Sequence, residues 1–203
     1  MMDTGILILA AGSSSRLGRP KQLLPYQDKT LLQHITDEAI KANLHPIILI
    51  TGAFSDEIAA PILQKEIEII HNDQWQQGMA SSIVAGLSHL ILLNSDIKGV
   101  IIAVCDQPFI TAYLLLNLIK MKTDSGKGIV ACSYSNTIGT PVLFDHHYFN
   151  ALLQLTGEEG AKKLVKQNEH DVATIPFPKG DIDIDTEEDY ALFRTTASIN
   201  PLI

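Results

Sequence analysis

Two cations follow a glycine- and serine-rich segment near the start of the chain. The aliphatic run 6–9 ends in Ala-Ala-Gly at 10–12, and three serines, Arg16 and Lys21 come next. Small residues let the backbone approach a ligand closely, and free N–H groups after a buried strand form an anion-binding concavity. The guanidinium fork of Arg16 suits phosphate oxygens, and Lys21 adds a point charge. The segment predicts a loop that binds a nucleoside triphosphate.

Spacing excludes the two familiar phosphate loops. Five residues separate Gly12 from Gly18 and Arg19 follows, whereas a P-loop needs four residues and then Gly-Lys. Gly-x-Gly-x-x-Gly, the dinucleotide fingerprint, is also incomplete. An ordinary strand-to-helix turn is the structural alternative, and the placement of Arg16 and Lys21 within six residues weighs against it.

Asp106 ends the apolar strand predicted over 99–105. Ligands of open α/β sheets bind beyond the carboxyl ends of the strands, which is where this carboxylate would lie. The alternative role is a cap for the helix predicted over 111–122, although Pro108 and Thr111 can already start that helix. Asp106 is therefore the sharpest single candidate for a functional side chain.

A second acidic segment, D-I-D-I-D-T, occupies residues 181–186. In an extended chain Asp181, Asp183 and Asp185 share one side, where their charges repel unless they are solvated or bridged by a cation. Mg²⁺ prefers one or two carboxylates together with water and substrate phosphates. The other role, capping of the C-terminal helix by Asp185 or Thr186, is compatible with metal binding because one residue can serve each purpose.

Two serines, Ser81 and Ser82, open the helix predicted over 78–93. Serine at this position normally caps a helix. Hydroxyls and open amides at a helix N-terminus also suit a phosphate or a carbonyl group of a ligand. Both roles stay open from the sequence alone.

Strand-like runs alternate with amphipathic stretches along the 203 residues, which is typical of an α/β protein. We expect a single domain over 1–196, followed by a tail over 197–203.

A net charge of −8 argues against broad nucleic-acid binding. The longest apolar runs are too short to cross a membrane and the start lacks a basic signal-peptide region, so we expect a cytoplasmic protein. Cys105 and Cys132 lie in strand-like segments and read as small buried hydrophobic residues.

Five sequence blocks in order resemble the MobA-like nucleotidyltransferases, and within them the molybdenum cofactor cytidylyltransferase branch. The blocks are LAAGSSSRLGRPKQLL (9–24), GMASSIVAGL (78–87), CDQPFI (105–110), GTPVLF (139–144) and DIDTEEDY (183–190). The resemblance implies a three-layer Rossmann-like nucleotidyltransferase fold with a mostly parallel central sheet. It also implies transfer of a nucleoside monophosphate from a triphosphate to an acceptor phosphate, with release of pyrophosphate.

The same resemblance implies roles for individual residues. Loop positions Ala10, Ala11, Gly12 and Ser13 would bind the base and phosphates, and Ser81 and Ser82 would lie near the nucleotide. Arg16 and Lys21 would bind the triphosphate as catalytic cations. Asp106 would be the principal Mg²⁺ ligand and Asp185 the second, with Asp183 as its substitute.

Ala10-Ala11-Gly12 resembles the cytidylyl-transferring form of the loop, which favours CTP over GTP. The acceptor implied is molybdopterin carrying molybdenum, with a molybdenum hydroxylase as the client of the product. The chain differs from the family at Glu158 and Lys162, where relatives have Asp and Arg, and this concerns the acceptor more than the reaction. Two alternatives stay open: transfer to a sugar or polyol phosphate, and a non-catalytic chaperone of the molybdenum cofactor.

Overall fold

A computed structural model describes residues 3–158 and 160–199 of the chain. A seven-stranded sheet and a two-stranded hairpin form its β-structure. The strands are β1 (Thr4–Ala10), β2 (Pro25–Tyr26), β3 (Lys29–Thr30), β4 (Ile47–Thr51), β5 (Glu68–His71), β6 (Gly99–Val104), β7 (Ile129–Tyr134), β8 (Thr137–Asp145) and β9 (Val172–Pro176). The α-helices are α1 (Leu31–Lys41), α2 (Ser55–Ala59), α3 (Met79–Leu93), α4 (Ala112–Ser125), α5 (Phe149–Leu153), α6 (Lys162–Gln167) and α7 (Glu187–Ile199).

The large sheet has the strand order β5-β4-β1-β6-β8-β7-β9. β1 pairs in parallel with both β4 and β6, and β8 is antiparallel to its neighbours β6 and β7. The chain runs from β1 outward to β4 and β5, and then returns to place β6 on the other side of β1. The loops after β1 and β6 therefore diverge, which opens a crevice at the carboxyl edge of the sheet. The mostly parallel α/β architecture confirms the predicted fold class.

Helices cover both faces of the sheet and give the molecule three layers. On one face, α1, α2 and α4 contribute buried side chains such as Ile35, Ile58 and Leu115. On the other face, α3, α5 and α6 contribute Leu87, Leu152 and Val165 among others. All seven residues of β1 are buried, because helices cover both faces of the sheet at this central strand. This two-sided burial explains why the strand reads as a nearly continuous aliphatic run.

A third apolar cluster lies at the carboxyl edge and joins segments that are distant in sequence. Leu17 from the loop after β1 packs with Ile184 and with Tyr190 and Phe193 of α7. Thr186 caps α7, because its hydroxyl accepts the Asp189 N–H (3.1 Å) while Asp189 Oδ2 accepts the Thr186 N–H (2.9 Å). Of the two predicted capping residues, the structure uses Thr186, so the carboxylate of Asp185 is left for other partners.

Sequence periodicity also predicts helices over 53–65, 146–155 and 157–168, and all three are shorter in the structure. The stretch 53–65 forms only α2 and a 3-10 turn that contains Pro61, as the proline led us to expect. The stretch 146–155 starts with a 3-10 turn before α5. The stretch 157–168 yields only α6, because Gly157 and Gly160 adopt φ values of +79° and +54°, which are not helical.

The C-terminal helix extends into the range that we expected to be a tail. α7 runs to Ile199, and residues 200–203 lie outside the described part of the chain. Within the described residues, no helix is both long and apolar enough to cross a bilayer.

Candidate active site

A pocket of about 340 Å³ opens at the carboxyl edge, between the loops that follow β1 and β6. The loop after β1 contributes Ala10 to Ser13 and Lys21, and the end of β6 contributes Cys105 and Asp106. The opposite wall comes from the segment before α3 and the start of that helix, with Trp75, Gln76, Gly78, Met79 and Ser82, and from Glu158. The structure thus brings most of the predicted loop residues and Asp106 into one pocket.

The loop after β1 is closed by a serine. Ser14 adopts φ of +51°, and its carbonyl oxygen accepts the N–H groups of Leu17 (3.0 Å) and Gly18 (3.1 Å). Its hydroxyl oxygen accepts the backbone N–H of Lys21 at 3.1 Å. These bonds fold residues 14–21 back on themselves and return Lys21 to the end of β1.

Lys21 lies between two carboxylates that are far apart in sequence. Its Nζ is 2.5 Å from Asp106 Oδ2 and 2.9 Å from Asp185 Oδ1. Burial alone would lower the pKa of Lys21, but the negative charge and hydrogen bonds of Asp106, and then Asp185, outweigh it and raise the pKa. The hydrogen bond and charge of Lys21 also lower the pKa of Asp185. The lysine is therefore charged at neutral pH and ties the two acidic segments together.

Asp106 keeps one oxygen available for a further ligand. Its Oδ1 is buried and accepts no hydrogen bond from any described residue. A buried carboxylate oxygen without a donor is costly, so the site is incomplete as it stands. The carboxylate oxygens of Asp106 and Asp185 are hard donors of the kind that Mg²⁺ and Mn²⁺ prefer. Lys21 contacts one oxygen of each of these two carboxylates.

Asp183 approaches the same group of charges. Partial loss of solvent around its carboxyl group and the negative charge of Asp106 raise the pKa of Asp183 to about 6, although the residue as a whole is exposed. Asp181, the third aspartate of the run, instead accepts a hydrogen bond from Ser135 at 2.5 Å. Ile184, which lies between Asp183 and Asp185, is fully buried in the apolar cluster. This contact fixes the segment and turns the two aspartates outward, as alternation predicts.

Arg16 lies at the exposed rim rather than in the pocket. Its side chain is 74% exposed, and its Nη1 is 3.2 Å from Asp185 Oδ2. Arg19, which sequence reasoning used only to exclude a P-loop, donates to both carboxylate oxygens of Glu187 at 3.0 and 3.1 Å. The two arginines thus join the loop after β1 to the segment that leads into α7.

The two serines of α3 point to different sides. Ser82 is buried and lines the pocket, whereas Ser81 lies outside it, on a second and more open cleft. The Ser81 hydroxyl contacts the carbonyl oxygens of Gly78 (2.8 Å) and Gln74 (2.9 Å) and accepts a hydrogen bond from Asn72. Consecutive helical residues face about 100° apart, which is why they cannot both reach one ligand. Of the two, only Ser82 is placed to contact a molecule in the main pocket.

Gln22 is a pocket residue that the sequence pattern did not reveal. It is fully buried, and its Nε2 donates to the carbonyl oxygens of Ala10 (2.8 Å) and Gly12 (3.2 Å). This amide holds the turn at the end of β1 in place. Its Oε1 has no partner among the described residues.

The two cysteines are buried free thiols, Cys132 within β7 and Cys105 directly after β6. Cys105 borders the pocket, and burial followed by the charge of Asp106 raises its pKa to about 12. Burial raises the pKa of Cys132 to about 12 as well. Neither thiol is a reactive thiolate at neutral pH, which agrees with their predicted role as small hydrophobic residues.

A smaller apolar pocket of about 170 Å³ adjoins the main one. Met79 lines both pockets, and Lys162, where the family usually has arginine, borders the smaller one. Glu158 lies instead on the wall of the main pocket. The two departures from the family pattern therefore border different pockets.

This fold and site define a nucleotidyltransferase of the Rossmann-like α/β class. The chain belongs to the family of the MobA-like NTP transferase domain, whose model matches residues 6–172.

Three relatives illustrate the range of this similarity. A protein named nicotine blue oxidoreductase from Paenarthrobacter nicotinovorans is 29% identical over 81% of both chains. A homologue of Rv0371c from Mycobacterium sp. strain JC1 is 30% identical, with a TM-score of 0.80 over 98% of this chain and 100% of that one. Rv0371c of Mycobacterium tuberculosis in complex with manganese is 27% identical, with a TM-score of 0.77 over 94% of this chain and 97% of that one.

Proposed function

We propose that this nucleotidyltransferase transfers CMP from Mg-CTP to the terminal phosphate of a molybdopterin-type acceptor. An acceptor phosphate oxygen forms a bond to the α-phosphorus, the bond between the α- and β-phosphates breaks, and pyrophosphate leaves. The observation that carries the proposal is the position of Lys21, which lies between Asp106 and Asp185 at the edge of the pocket. Two acidic segments and a cation meet there beside a loop that suits phosphates.

The cations reduce the repulsion between two polyanions. Lys21 is positioned by Asp106 and Asp185, and we assign it to the triphosphate, whose phosphates would replace part of that pairing. Arg16 is exposed at the rim and free to turn from Asp185 toward the leaving pyrophosphate. The backbone of Ala10 to Ser13 would hold the base and the first phosphates, since these residues line the pocket.

We assign Asp106 and Asp185 as the protein ligands of a divalent cation, with Asp183 as the substitute for Asp185. The unpartnered Asp106 Oδ1 supports this assignment. When bound, the ion would neutralise phosphate charge and stabilise the departing pyrophosphate. Before the ion or the nucleotide binds, Lys21 holds both carboxylates in place, because it contacts one oxygen of each.

The chemistry that we propose needs no general base from the protein. A phosphate monoester has a second pKa of about 6 and is largely dianionic at neutral pH, so its oxygen can attack directly. Among the described residues that line the pocket, the titratable ones are Lys21, Cys105, Asp106 and Glu158. Catalysis would then rest on alignment and charge.

We infer CTP as the nucleotide from the Ala10-Ala11-Gly12 form of the loop. Calorimetry with Mg-CTP and Mg-GTP tests the inference directly. We expect the dissociation constant to be at least about tenfold lower for CTP, which corresponds to about 1.4 kcal/mol. Tighter binding of GTP would overturn the inference.

The acceptor is decided by an assay of pyrophosphate release. CTP, GTP and ATP are each incubated with purified molybdopterin, with its molybdenum-loaded form, and with sugar and polyol phosphates. Release with the molybdopterin-type acceptors alone supports the proposal, in which the product would be passed to a molybdenum hydroxylase in the cytoplasm. Release only with a sugar or polyol phosphate supports the alternative transferase, and delivery of a preformed cofactor without any release supports the chaperone.

The relative that is named an oxidoreductase is the reason to include one further arm. The same protein is tested for oxidation or reduction of nicotine blue with an added redox partner, without any nucleotide triphosphate. We expect no turnover in this arm. Conversion of nicotine blue that survives Asp106→Asn, together with no pyrophosphate release, would show that the chain acts on the compound in that relative's name instead.

A further inference from the structure

Gln107 directly follows Asp106 and uses its whole side-chain amide to join two other segments. It is 2% exposed. Its Nε2 donates to the carbonyl oxygen of Gly180 at 2.7 Å, and its Oε1 accepts from Thr140 Oγ1 at 3.0 Å. One buried amide therefore links the end of β6 to β8 and to Gly180, which directly precedes the acidic segment 181–186.

The apolar cluster fixes Ile184, but few hydrogen bonds join the acidic segment directly to the end of β6. Residues 182–185 belong to no helix or strand, so no ladder of hydrogen bonds sets their distance from the sheet. The backbone N–H of Ile184 approaches Asp106 O at 3.4 Å, which is a long hydrogen bond. The Gln107–Gly180 bond is much shorter and lies five residues before Asp185.

A carboxylate pair needs such a link because its own charges repel. Asp106 and Asp185 share Lys21, but that contact would be partly given up when phosphates or a cation bind. A neutral amide adds no charge next to Asp106 and satisfies one acceptor and one donor. Removal of it would take the donor from the buried Gly180 carbonyl oxygen and one acceptor from the half-buried Thr140 hydroxyl.

We propose that Gln107 is a positioning residue that holds Asp185 opposite Asp106 and thereby sets the affinity of the pair for a divalent cation. The inference rests on the proposed function, because it takes these two carboxylates as the cation ligands. Gln107 itself contacts neither the cation nor the nucleotide in this account.

The first test measures binding of Mn²⁺ alone, in the absence of substrates. The electron paramagnetic resonance signal of the free ion reports how much Mn²⁺ is bound. The variants are Gln107→Met, which keeps the side-chain length and loses both hydrogen bonds, and Asp106→Asn. Thr36→Val is the matched control, because Thr36 is a fully buried polar residue of α1 whose hydroxyl donates to Leu32 O at 2.9 Å, away from the pocket. We expect Gln107→Met to raise the Mn²⁺ dissociation constant at least about fivefold and Thr36→Val to leave it within twofold.

The second test separates metal affinity from nucleotide affinity in steady-state kinetics. For Gln107→Met we expect the Mg²⁺ concentration at half-maximal rate to rise by a similar factor, while KM for CTP stays within about threefold. A purely structural defect would lower the amount of active enzyme without this selective shift. Unchanged Mn²⁺ affinity in a folded Gln107→Met protein overturns the inference.

The variants also keep failure of this inference distinct from failure of the proposed function. If Asp106→Asn binds Mn²⁺ as the parent protein does, the carboxylate pair is not the metal site and the metal assignment itself is wrong. If only Asp106→Asn weakens binding, the metal assignment holds and the role of Gln107 is wrong. Should Gln107→Met not fold, Gln107→Asn keeps a neutral amide but is one methylene too short to hold both Gly180 O and Thr140 Oγ1, and an Mn²⁺ affinity unchanged in that variant contradicts the proposal in the same way.

Discussion

Lys21 is the residue on which the site depends most. Its side chain is 17% exposed, and the charges of Asp106 and Asp185 more than offset the burial that would otherwise lower the pKa of this lysine. The pairing also works in the opposite direction, since the cation holds two carboxylates closer than their charges would otherwise permit. The same charge would be offered to a triphosphate when one enters the pocket.

Replacement of Lys21 by methionine tests this role at the residue scale. We expect kcat/KM for CTP to fall at least about 100-fold, as when a preorganised charged donor is removed from an active site. Lys29→Met is the control, because Lys29 pairs with Asp37 at 2.8 Å away from the pocket. The control should keep kcat/KM within about twofold in the same pyrophosphate assay, and a Lys21→Met enzyme with half of the parent activity would contradict the account.

The residues with charges were predictable from sequence, and the amides were not. Lys21, Asp106 and Asp185 each follow a pattern with a chemical reason: a cation after a small-residue loop, and carboxylates after apolar or alternating segments. The roles of Gln22 and Gln107 depend on carbonyl and hydroxyl groups that become neighbours only in the folded chain. No spacing in the sequence identifies those partners.

At the scale of elements, close approach between loops shapes the pocket. Gly52 follows β4, and a Cβ atom built on it would lie 2.7 Å from both Ala11 O and the Trp75 side chain. The Ala53 N–H also donates to Ala11 O at 3.1 Å. The wall that carries Trp75 is therefore pressed against the turn at the end of β1, and only a glycine leaves room for it.

Gly52→Ala should push Trp75 and the loop at Ala11 apart. We expect KM for CTP to rise about tenfold or more, with a smaller effect on kcat, because the base and first phosphates are assigned to this loop. Gly126→Ala is the control, since Gly126 ends α4 with φ of +68° and has no atom within 4 Å of a built Cβ. That variant should cost about 1 kcal/mol of stability through backbone strain while KM is unchanged. An unchanged KM in Gly52→Ala would contradict the assigned place of the nucleotide.

The order of the elements was predictable from periodicity, and their ends were not always so. Long apolar runs such as β1 and β6 and the helix α3 lie where the pattern places them. α6 is shorter because backbone conformation at Gly157 and Gly160, rather than side-chain pattern, decides where it begins. The apolar cluster around Ile184 is a tertiary feature that no local window contains.

At the scale of the whole molecule, strand order determines where the site lies. β6 is placed beside β1 although the chain has first passed through β4 and β5, and this return opens the crevice. Because the net charge is −8, the positive charges of Lys21 and Arg16 are a local feature of an acidic protein. The position of the candidate site therefore follows from the strand order of the sheet. The family resemblance predicted the fold that has this strand order.

The opposite edge of the sheet carries an ion pair that should control stability in acid. Asp145 Oδ2 is 2.9 Å from Lys122 Nζ, and the side chain of Asp145 is 10% exposed. Burial opposes ionisation, but hydrogen bonds from Lys122 and His147 outweigh it and lower the pKa of Asp145 to about 2. A carboxyl whose pKa is lower in the folded state stabilises the fold above its ordinary pKa, and this contribution is lost as the pH falls toward 2.

Asp145→Asn should therefore cost about 2 kcal/mol in the free energy of unfolding at pH 7. The difference in unfolding free energy from the parent protein should narrow as the pH falls from about 4 to 2. Urea unfolding of both proteins at pH 7 and across the acidic range measures the cost and its change with pH. Asp124→Asn is the control, because its pair with Lys120 is exposed and should contribute little at any pH. A difference that stays constant with pH would show that the pair does not stabilise the fold.

The fate of the α-phosphate decides whether the enzyme transfers CMP to the acceptor. CTP labelled with ³²P at the α- or the γ-position is incubated with the enzyme, Mg²⁺ and a molybdopterin-type acceptor, and products are separated and counted. The account predicts that α-label appears in the acceptor, that γ-label appears only in pyrophosphate, and that one pyrophosphate forms for each transfer. Asp106→Asn should lower both yields together at least about 100-fold. Transfer of γ-label to the acceptor, or α-label transfer that Asp106→Asn leaves unchanged, would contradict the account.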